Sequence, residues 1–193
     1  MGITSMLKPG DIVLDCGANV GDVSEPLVAT GATVHAFEPD PFAYDQLEKR
    51  LSGHPNITLH NAAVGVNAGQ LRLMRGANFD DNPKAESVKS TLIAGGRHID
   101  ESDGITVDVV SLPELIASLA REHGDIAFLK MDIEGAELEL LEHMHEHRLF
   151  DLVRLTVAET HPNLFKGLRG RFLAMHKAIA AAYPQTRVNL DWI

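Results

Sequence analysis

The sequence predicts an α/β fold with a doubly wound, mostly parallel sheet of the Rossmann-like type. Short apolar strands alternate with amphipathic helices along the chain, which is typical of a parallel sheet with helices on both faces. A glycine-containing loop, Asp15–Gly21, directly follows the first apolar strand. An acidic residue, Glu38, ends the next strand at the spacing of a nucleotide-type cofactor site.

The first part of the chain contains two helices with recognisable starts. The first helix is predicted within Asp22–Thr30, and Pro26 requires either a start near Ser24 or a kink, since proline is tolerated only in a first helical turn. The second helix begins after Asp40, a good N-cap, with Pro41 as its first residue. The strands predicted here are Ile12–Leu14, Thr33–Phe37, Ile57–His60 and an extra strand over Leu71–Met74.

The second part continues the alternation of strands and helices. Strands are predicted over Ile105–Val110, Ile126–Asp132, Leu152–Ala158 and Arg187–Leu190, and helices over Leu112–Glu122, Gly135–His145 and Leu168–Ala182. A long polar stretch, residues 76–104, precedes them. We interpret it as a loop that forms a lid or wall on the substrate side, and the alternative is a mobile surface insertion.

Composition limits the class of protein. A chain of 193 residues predicts one domain over 1–193. The net charge of −10 argues against nucleic-acid binding through phosphate neutralisation. The lone cysteine, Cys16, suits a reducing compartment and is either a reactive thiol or a small packed side chain. The sequence shows neither a signal peptide nor a membrane-spanning segment, so we expect a cytoplasmic protein that does not bind membranes.

The glycine loop indicates which cofactor binds. Gly17 allows a sharp turn after the strand, and Gly21 allows close approach to a ligand or to a packed helix. Asp15 lies at the carboxyl end of the strand, and Glu38 is placed to accept hydrogen bonds from ribose hydroxyls. The loop lacks the middle glycine of a dinucleotide fingerprint, so a pyrophosphate would meet the side chain of Asn19. S-adenosylmethionine, which has a ribose and no phosphate, fits better. A tight turn with an incidental acid is the alternative.

Small residues follow the third strand, in the segment Asn61–Gly65. They leave room for a flat ring, and Asn61 could bond an adenine edge. An ordinary transition from strand to turn explains the same residues equally well.

A second cluster of polar residues follows two later strands. Asp132, Glu134 and His161 can converge above the glycine loop, because the carboxyl ends of parallel strands share one edge. His161 is the first choice as general base, because imidazole titrates near neutral pH, and Asp132 is the next. Glu134 has a structural alternative, since an acid at a helix N-terminus complements the helix dipole.

A group of histidines lies near the end of one predicted helix. His143 and His147 have the spacing of metal ligands on a helical face. We favour an exposed helix end with cationic groups, and therefore predict no metal site.

Four sequence blocks and one shorter motif together resemble the FkbM family of class I S-adenosylmethionine-dependent methyltransferases. The blocks are Asp15–Gly21, Phe37–Pro39, Asn61–Gly65 and Lys130–Glu137, which Leu141 follows, and the shorter motif is Glu159–His161. The block over Lys130–Glu137 is specific to the family, whereas the others are typical of the wider class.

The resemblance implies O-methylation, often of a hydroxyl on a sugar or natural product. It implies a seven-stranded sheet with one antiparallel strand near the C-terminus. The chain ends at Ile193, soon after the predicted sixth strand, so we expect either that the last strand is missing or that the sequence is truncated. The predicted cofactor-binding residues are Asp15, Gly17, Ala18, Asn19, Gly21, Glu38, Pro39, Asn61, Ala62, Ala63 and Asp132. The predicted catalytic residues are His161, Asp132 and Glu134.

Two rival functions stay open at this point. One is a nicotinamide-dependent oxidoreductase, against which the missing middle glycine and the block over Lys130–Glu137 argue. The other is a non-catalytic module that binds the cofactor. The expected partner is a small hydroxylated acceptor, while its identity and the oligomeric state are not encoded in any pattern of the chain.

Overall fold

The computed structural model describes residues 2–76, 99–134, 136–162 and 166–192. The strands are β1 (Ile12–Cys16), β2 (Thr33–Phe37), β3 (Ile57–His60), β4 (Ala63–Gly65), β5 (Gly69–Gly76), β6 (Ile99–Ser111), β7 (Ile126–Met131), β8 (Val153–Ala158) and β9 (Val188–Asn189). The helices are α1 (Ser24–Val28), α2 (Pro41–Leu51), α3 (Leu112–His123), α4 (Glu137–Glu146) and α5 (Arg169–Ala182). None of the helices in these ranges is long and apolar enough to cross a bilayer.

The main sheet has the predicted Rossmann-like arrangement. Its strand order is β3-β2-β1-β7-β8-β9, and each neighbouring pair is parallel. The order reverses between β1 and β7, and open α/β sheets bind ligands in the crevice at such a switch point. An antiparallel strand is not found among the described strands of this sheet. A single antiparallel bridge joins Glu159 to Asp191.

A second sheet of three strands was not predicted. In it β4 runs parallel to β6, and β5 runs antiparallel to β6. Residues 99–104, assigned from sequence to the loop over 76–104, are part of β6. That part of the prediction was wrong because pairing with β5 satisfies the backbone of a segment whose side chains are mostly polar. The segment 77–98 lies outside the described residues, and its substrate-side role stays a prediction.

The main sheet is buried on both faces, as the alternation of strands and helices predicted. On β1 the side chains of Ile12, Leu14 and Cys16 belong to one hydrophobic cluster, together with residues of α3, α4 and α5. Val13 belongs to the opposite cluster, with residues of α1 and α2. Cys16 is fully buried, and burial raises the pKa of its thiol, so the packed side chain is the correct interpretation.

Helix starts follow the local signals. Asp40 caps α2, where its Oδ1 accepts from the backbone N–H groups of Phe42 and Ala43 at 2.9 and 3.3 Å. Helix α1 starts at Ser24, so Pro26 lies in the first turn and a kink is unnecessary. The hydroxyl of Ser24 does not cap the helix, because it donates to the carboxylate of Asp15.

Candidate active site

The loop after β1 is shaped by contacts with two neighbouring strands. The N–H groups of Gly17 and Ala18 both donate to the carbonyl of Phe37, at 3.0 and 2.9 Å. Gly17 has φ +81°, and a Cβ built on it would lie 1.7 Å from the carbonyl oxygen of Asp132. Only glycine fits at this crossing, because a side chain would push the β1 loop away from the β7 loop.

A buried ion pair lies beneath this loop. Asp15 is fully buried, with Oδ2 2.6 Å from Ser24 Oγ and Oδ1 3.3 Å from Lys130 Nζ. The ammonium of Lys130 also donates to the carbonyl of Gly17 at 2.5 Å and lies 3.8 Å from Asp132 Oδ2. Burial would lower the pKa of Lys130, but the Asp15 and Asp132 carboxylates outweigh burial and raise it. Asp15 therefore supports the loop from below. Because Asp15 is fully buried, the structure offers no exposed Asp15 atom for the predicted contact with the cofactor.

Gly21 packs against a helix. Its φ is +92°, and a Cβ there would lie 2.9 Å from Leu47 Cδ1 and 3.2 Å from Leu51 Cδ1 on α2. Of the two roles predicted for Gly21, the structure supports close packing of a helix.

Glu38 is held by backbone donors at the end of β2. Its Oε2 accepts from the N–H of Asn19 at 2.8 Å, and its Oε1 accepts from the N–H of Asp40 at 2.9 Å. Burial raises the pKa of the Glu38 carboxyl to about 7, although these two donors favour the ionised form. Each oxygen keeps acceptor capacity for one further donor. The geometry is suited to a pair of ribose hydroxyls.

The residues after β3 line the same side of the loop. Asn61 donates its amide N–H to the carbonyls of Glu38 and Pro39, at 2.9 and 3.3 Å. The Asn61 amide thus orients the backbone around Glu38, and its carbonyl oxygen is the group left for a ligand. Ala62 and Ala63 are buried, and Ala63 packs with Leu73, Val107 and Val109 of the second sheet, so room for a flat ring beside them stays a prediction.

Four carboxylates surround one imidazole at the ends of β7 and β8. His161 Nδ1 lies 3.0 Å from Glu137 Oε1. His161 Nε2 lies 3.6 Å from Glu134 Oε2, 3.7 Å from Glu159 Oε1 and 4.0 Å from Asp132 Oδ1. The predicted catalytic residues Asp132, Glu134 and His161 are therefore brought together.

Charge and burial shift the titration of this cluster. Burial alone would lower the pKa of the His161 imidazole. The hydrogen bond with Glu137 and the neighbouring carboxylates outweigh burial and raise that pKa to about 9. Burial raises the pKa of the Glu134 carboxyl to about 7, against the favourable charge of His161. An isolated histidine would titrate near neutral pH, whereas His161 is protonated there.

Two residues of the site were not predicted to have roles. Glu137 is fully buried, and its Oε1 accepts from the N–H of Ile133 at 3.0 Å as well as contacting His161. Lys130 pairs with Asp15. Both residues lie inside the block over Lys130–Glu137, so the sequence did mark them as part of a family motif. Their partners, His161 and Asp15, lie far away in sequence and could not be predicted from it.

The histidines near the end of α4 are a separate group from the cluster around His161. The rings of His143 and His147 lie 4.2 Å apart near the end of α4. In the ranges that the structure describes, the group able to hold a metal ion is Asp132, Glu137 and His161.

A cavity opens on the side of the second sheet. Its volume is about 310 Å³, and it lies between the segment Val64–Leu71, Val109 and the start of α4. Its lining includes neither the glycine loop nor Glu38 nor His161, so it is separate from the crevice.

The fold and the site together define a class of protein. It is a Rossmann-like α/β protein whose switch-point crevice has a buried acid, Glu38, at the end of β2 and a cluster of carboxylates around a histidine at the ends of β7 and β8. Sequence comparison identifies the family within that class. A profile described as the Methyltransferase FkbM domain matches residues 15–181, so the chain belongs to the FkbM methyltransferase domain family.

Three characterised relatives are similar to the chain. The 31-O-demethyl-FK506 methyltransferase FkbM of Streptomyces tacrolimicus is 29% identical, with 80% of this chain and 67% of that protein covered. Methyltransferase sdnD of Sordaria araneosa is 32% identical, with 80% and 68% covered. The hexuronic acid methyltransferase AglP of Haloferax volcanii is 28% identical, with 69% and 50% covered.

Proposed function

We propose that this chain transfers a methyl group from S-adenosylmethionine to a hydroxyl oxygen of a sugar or a small natural product. The observation that carries the proposal is the position of Asp132. It contacts the glycine loop through its backbone, where its N–H donates to Cys16 O at 3.0 Å. Its side chain lies beside His161. The proposed cofactor site and the proposed proton acceptors would therefore meet at one residue.

Glu38 and the small residues after β3 support S-adenosylmethionine as the cofactor. Glu38 would offer its two carboxylate oxygens to the ribose hydroxyls, and contact of a flat ring with Ala62 and Ala63 stays a prediction. The loop Gly17–Asn19 and the segment Glu38–Pro39 would border the cofactor, with Asn61 and Asp132 at its sides. When bound, this cofactor supplies an electrophilic methyl group on a sulfonium.

The protein's own contribution is to position the acceptor and to take a proton from its hydroxyl. Positioning can supply much of the rate when the reacting carbon is already electrophilic. Asp132, Glu134 and the neutral form of His161 are the candidates for the proton acceptor. Because the pKa of His161 is about 9, a role for His161 as the base requires turnover to rise as the pH approaches 9. Side chains of Asp132 and Glu134 are 29% and 24% exposed, so both can reach a substrate in the crevice.

The class of acceptor is inferred from two relatives and from charge. One relative is named for a demethylated natural product and the other for a hexuronic acid. The net charge of −10 disfavours a nucleic-acid acceptor. We therefore propose a small hydroxylated molecule.

Binding and transfer experiments test the proposal. Titration calorimetry should show that S-adenosylhomocysteine binds and that NAD does not, because a pyrophosphate would meet the side chain of Asn19. Tighter binding of NAD would overturn the proposal. Transfer of labelled methyl from S-adenosylmethionine to a panel of sugars and hydroxylated natural products would then identify the acceptor class.

A matched pair of variants tests the role of His161. His161→Ala should lower turnover while the affinity for S-adenosylhomocysteine changes little. His54→Ala, which removes an exposed histidine after α2, should leave both unchanged. Normal turnover in the His161 variant would exclude it as the proton acceptor.

A further inference from the structure

The cluster at the ends of β7 and β8 carries more negative charge than its own groups neutralise. Asp132, Glu134, Glu137 and Glu159 all place an oxygen within 4.0 Å of a nitrogen of His161. Even a protonated imidazole leaves the carboxylates in excess. Lys130 is the nearest cation on the same strand end, but its shorter ion pair is with the buried Asp15, at 3.3 Å against 3.8 Å for Asp132.

Three of these residues have the spacing of ligands around a single ion. One ligand atom from each of Asp132, Glu137 and His161 lies within 4.8 Å of the other two. Bonds of about 2.0–2.2 Å from oxygen and nitrogen to a metal would bring ligand atoms to within about 4.4 Å of one another. Three ligands around one ion lie closer together than that limit, so the present arrangement is near a coordination sphere and side-chain movement would complete it.

A separate observation concerns Glu137, which lies fully buried in the cluster. Its Oε1 accepts from Ile133 N–H and lies against His161. Its Oε2 is buried and has no hydrogen-bond partner among the residues that the structure describes. Buried carboxylate oxygens are costly to leave unpaired, so this atom requires an explanation. A metal–oxygen bond would supply one.

We propose that Asp132, Glu137 and His161 bind a divalent metal ion. Mixed carboxylate and imidazole ligands suit a first-row ion such as Mn²⁺. The side chains of Asp132 and Glu134 keep the outer side of the cluster open to the crevice, so the ion would have a free coordination position. If the proposed methyl transfer is correct, an acceptor hydroxyl could occupy that position and lose its proton more easily.

Metal binding is measured directly with the full chain and Mn²⁺, in the absence of cofactor. We expect calorimetry to show one Mn²⁺ per chain, and electron paramagnetic resonance to show loss of the free aqueous Mn²⁺ signal. Failure to bind stoichiometrically at millimolar Mn²⁺ would overturn the inference.

Variants locate the ion. Asp132→Asn should weaken Mn²⁺ binding by at least about tenfold. Glu137→Gln should do the same, and since Glu137 is buried, the partly exposed Asp132 keeps the test valid if that second variant does not fold. Glu122→Gln is the matched control, because Glu122 is an exposed acid near the end of α3. If Glu122→Gln weakened binding as much as Asp132→Asn, the ion would lie elsewhere and the inference would fail.

The outcome is separable from that of the proposed function. Methyl transfer that persists after EDTA treatment, in a chain that does not bind Mn²⁺, would reject the metal site and leave the methyltransferase intact. Binding of Mn²⁺ at Asp132, in a chain that does not bind S-adenosylhomocysteine, would support the metal site and reject the proposed function. Transfer lost with EDTA and restored by Mn²⁺ would support both.

Discussion

The two sides of the crevice differ in how their charges are balanced. On the cofactor side, comprising the loop Gly17–Gly21 and Glu38, the charged groups are paired by the protein itself. Lys130 neutralises Asp15, and two backbone N–H groups bond the oxygens of Glu38. On the acid side, formed by Asp132–Glu137, Glu159 and His161, four carboxylates share one imidazole.

The difference shows which side is organised by folding alone. On the cofactor side, the paired charges and the close contact of Gly17 with the Asp132 carbonyl fix one arrangement before any ligand binds. The acid side stores repulsion among its carboxylates. Each side has one non-glycine residue at positive φ, Asn19 at +48° and Glu134 at +52°, and asparagine tolerates that region better than glutamate does. We therefore expect substitutions on the cofactor side to cost stability, and substitutions on the acid side to cost function.

The largest effect is expected from removing the buried cation. Lys130→Met would leave Asp15 buried without its counter-ion, at a cost of about 3–5 kcal/mol in the free energy of unfolding. Lys49→Met, at an exposed position on α2, should change that free energy by no more than about 0.5 kcal/mol. Urea denaturation of both variants makes the comparison. Equal losses of unfolding free energy in the two variants would mean that the Lys130–Asp15 ion pair does not stabilise the fold.

The glycine crossing should give the next largest effect. Gly17→Ala combines a positive φ with a clash against the Asp132 carbonyl, so we expect a loss of about 3 kcal/mol. Gly124→Ala is the control, because Gly124 has φ +96° and open space around it, and should cost only about 1–2 kcal/mol. Calorimetry with S-adenosylhomocysteine should also show weaker binding in the Gly17 variant alone. Similar losses of stability in both variants would mean that the clash is relieved by movement of the loops.

Acidity should reveal the role of Glu38. With a pKa of about 7, Glu38 is mostly neutral at pH 6 and mostly ionised at pH 8. If the ionised form accepts the ribose hydroxyls, the dissociation constant of S-adenosylhomocysteine should rise about tenfold from pH 8 to pH 6. Calorimetry across this range measures it, and Glu38→Gln should remove the dependence. A flat profile for the unmodified protein would argue against ribose binding.

The raised pKa of Glu38 also makes the stability of the fold depend on pH. Its folded pKa of about 7 lies above the ordinary value of 4.5. The stabilisation that comes from its neutral form is therefore complete below pH 4.5 and is lost as the pH rises through about 7. Comparing Glu38→Gln with the unmodified protein by urea denaturation at pH 5 and pH 8 tests this sign.

The smallest effect should have the opposite sign. Glu134→Gly removes the strain of a left-handed residue and one charge from the acid side, so it should stabilise the fold by about 1 kcal/mol while lowering methyl transfer. Arg148→Gly is the control, since Arg148 has φ +57° and lies on an exposed turn. It should stabilise the fold to a similar extent and leave transfer unchanged. Destabilisation by Glu134→Gly would show that the acid side is stabilised by this residue.

Much of the fold was predictable because its signals are local. The N-cap at Asp40, the strand before the glycine loop and the alternation of apolar strands with helices each involve residues close in sequence. The start of β6 was missed because its evidence is a partner strand, and its own side chains are mostly polar. Likewise, Asp15 was predicted as a ligand-facing acid because the sequence does not show which carboxylates are neutralised from below.

The sequence by itself determined the order of most elements, the position of the acid Glu38 at the end of β2 and the residue types of the acid side. Only the tertiary structure decided which charges are paired. Lys130 reaches the carbonyl of Gly17 across 113 positions of the chain, and His161 meets Glu137 across 24. The physical reason is that parallel strands bring their carboxyl ends to one edge whatever their distance in sequence. Burial and neighbouring charges at that edge then set whether a carboxylate supports the loop or faces the crevice.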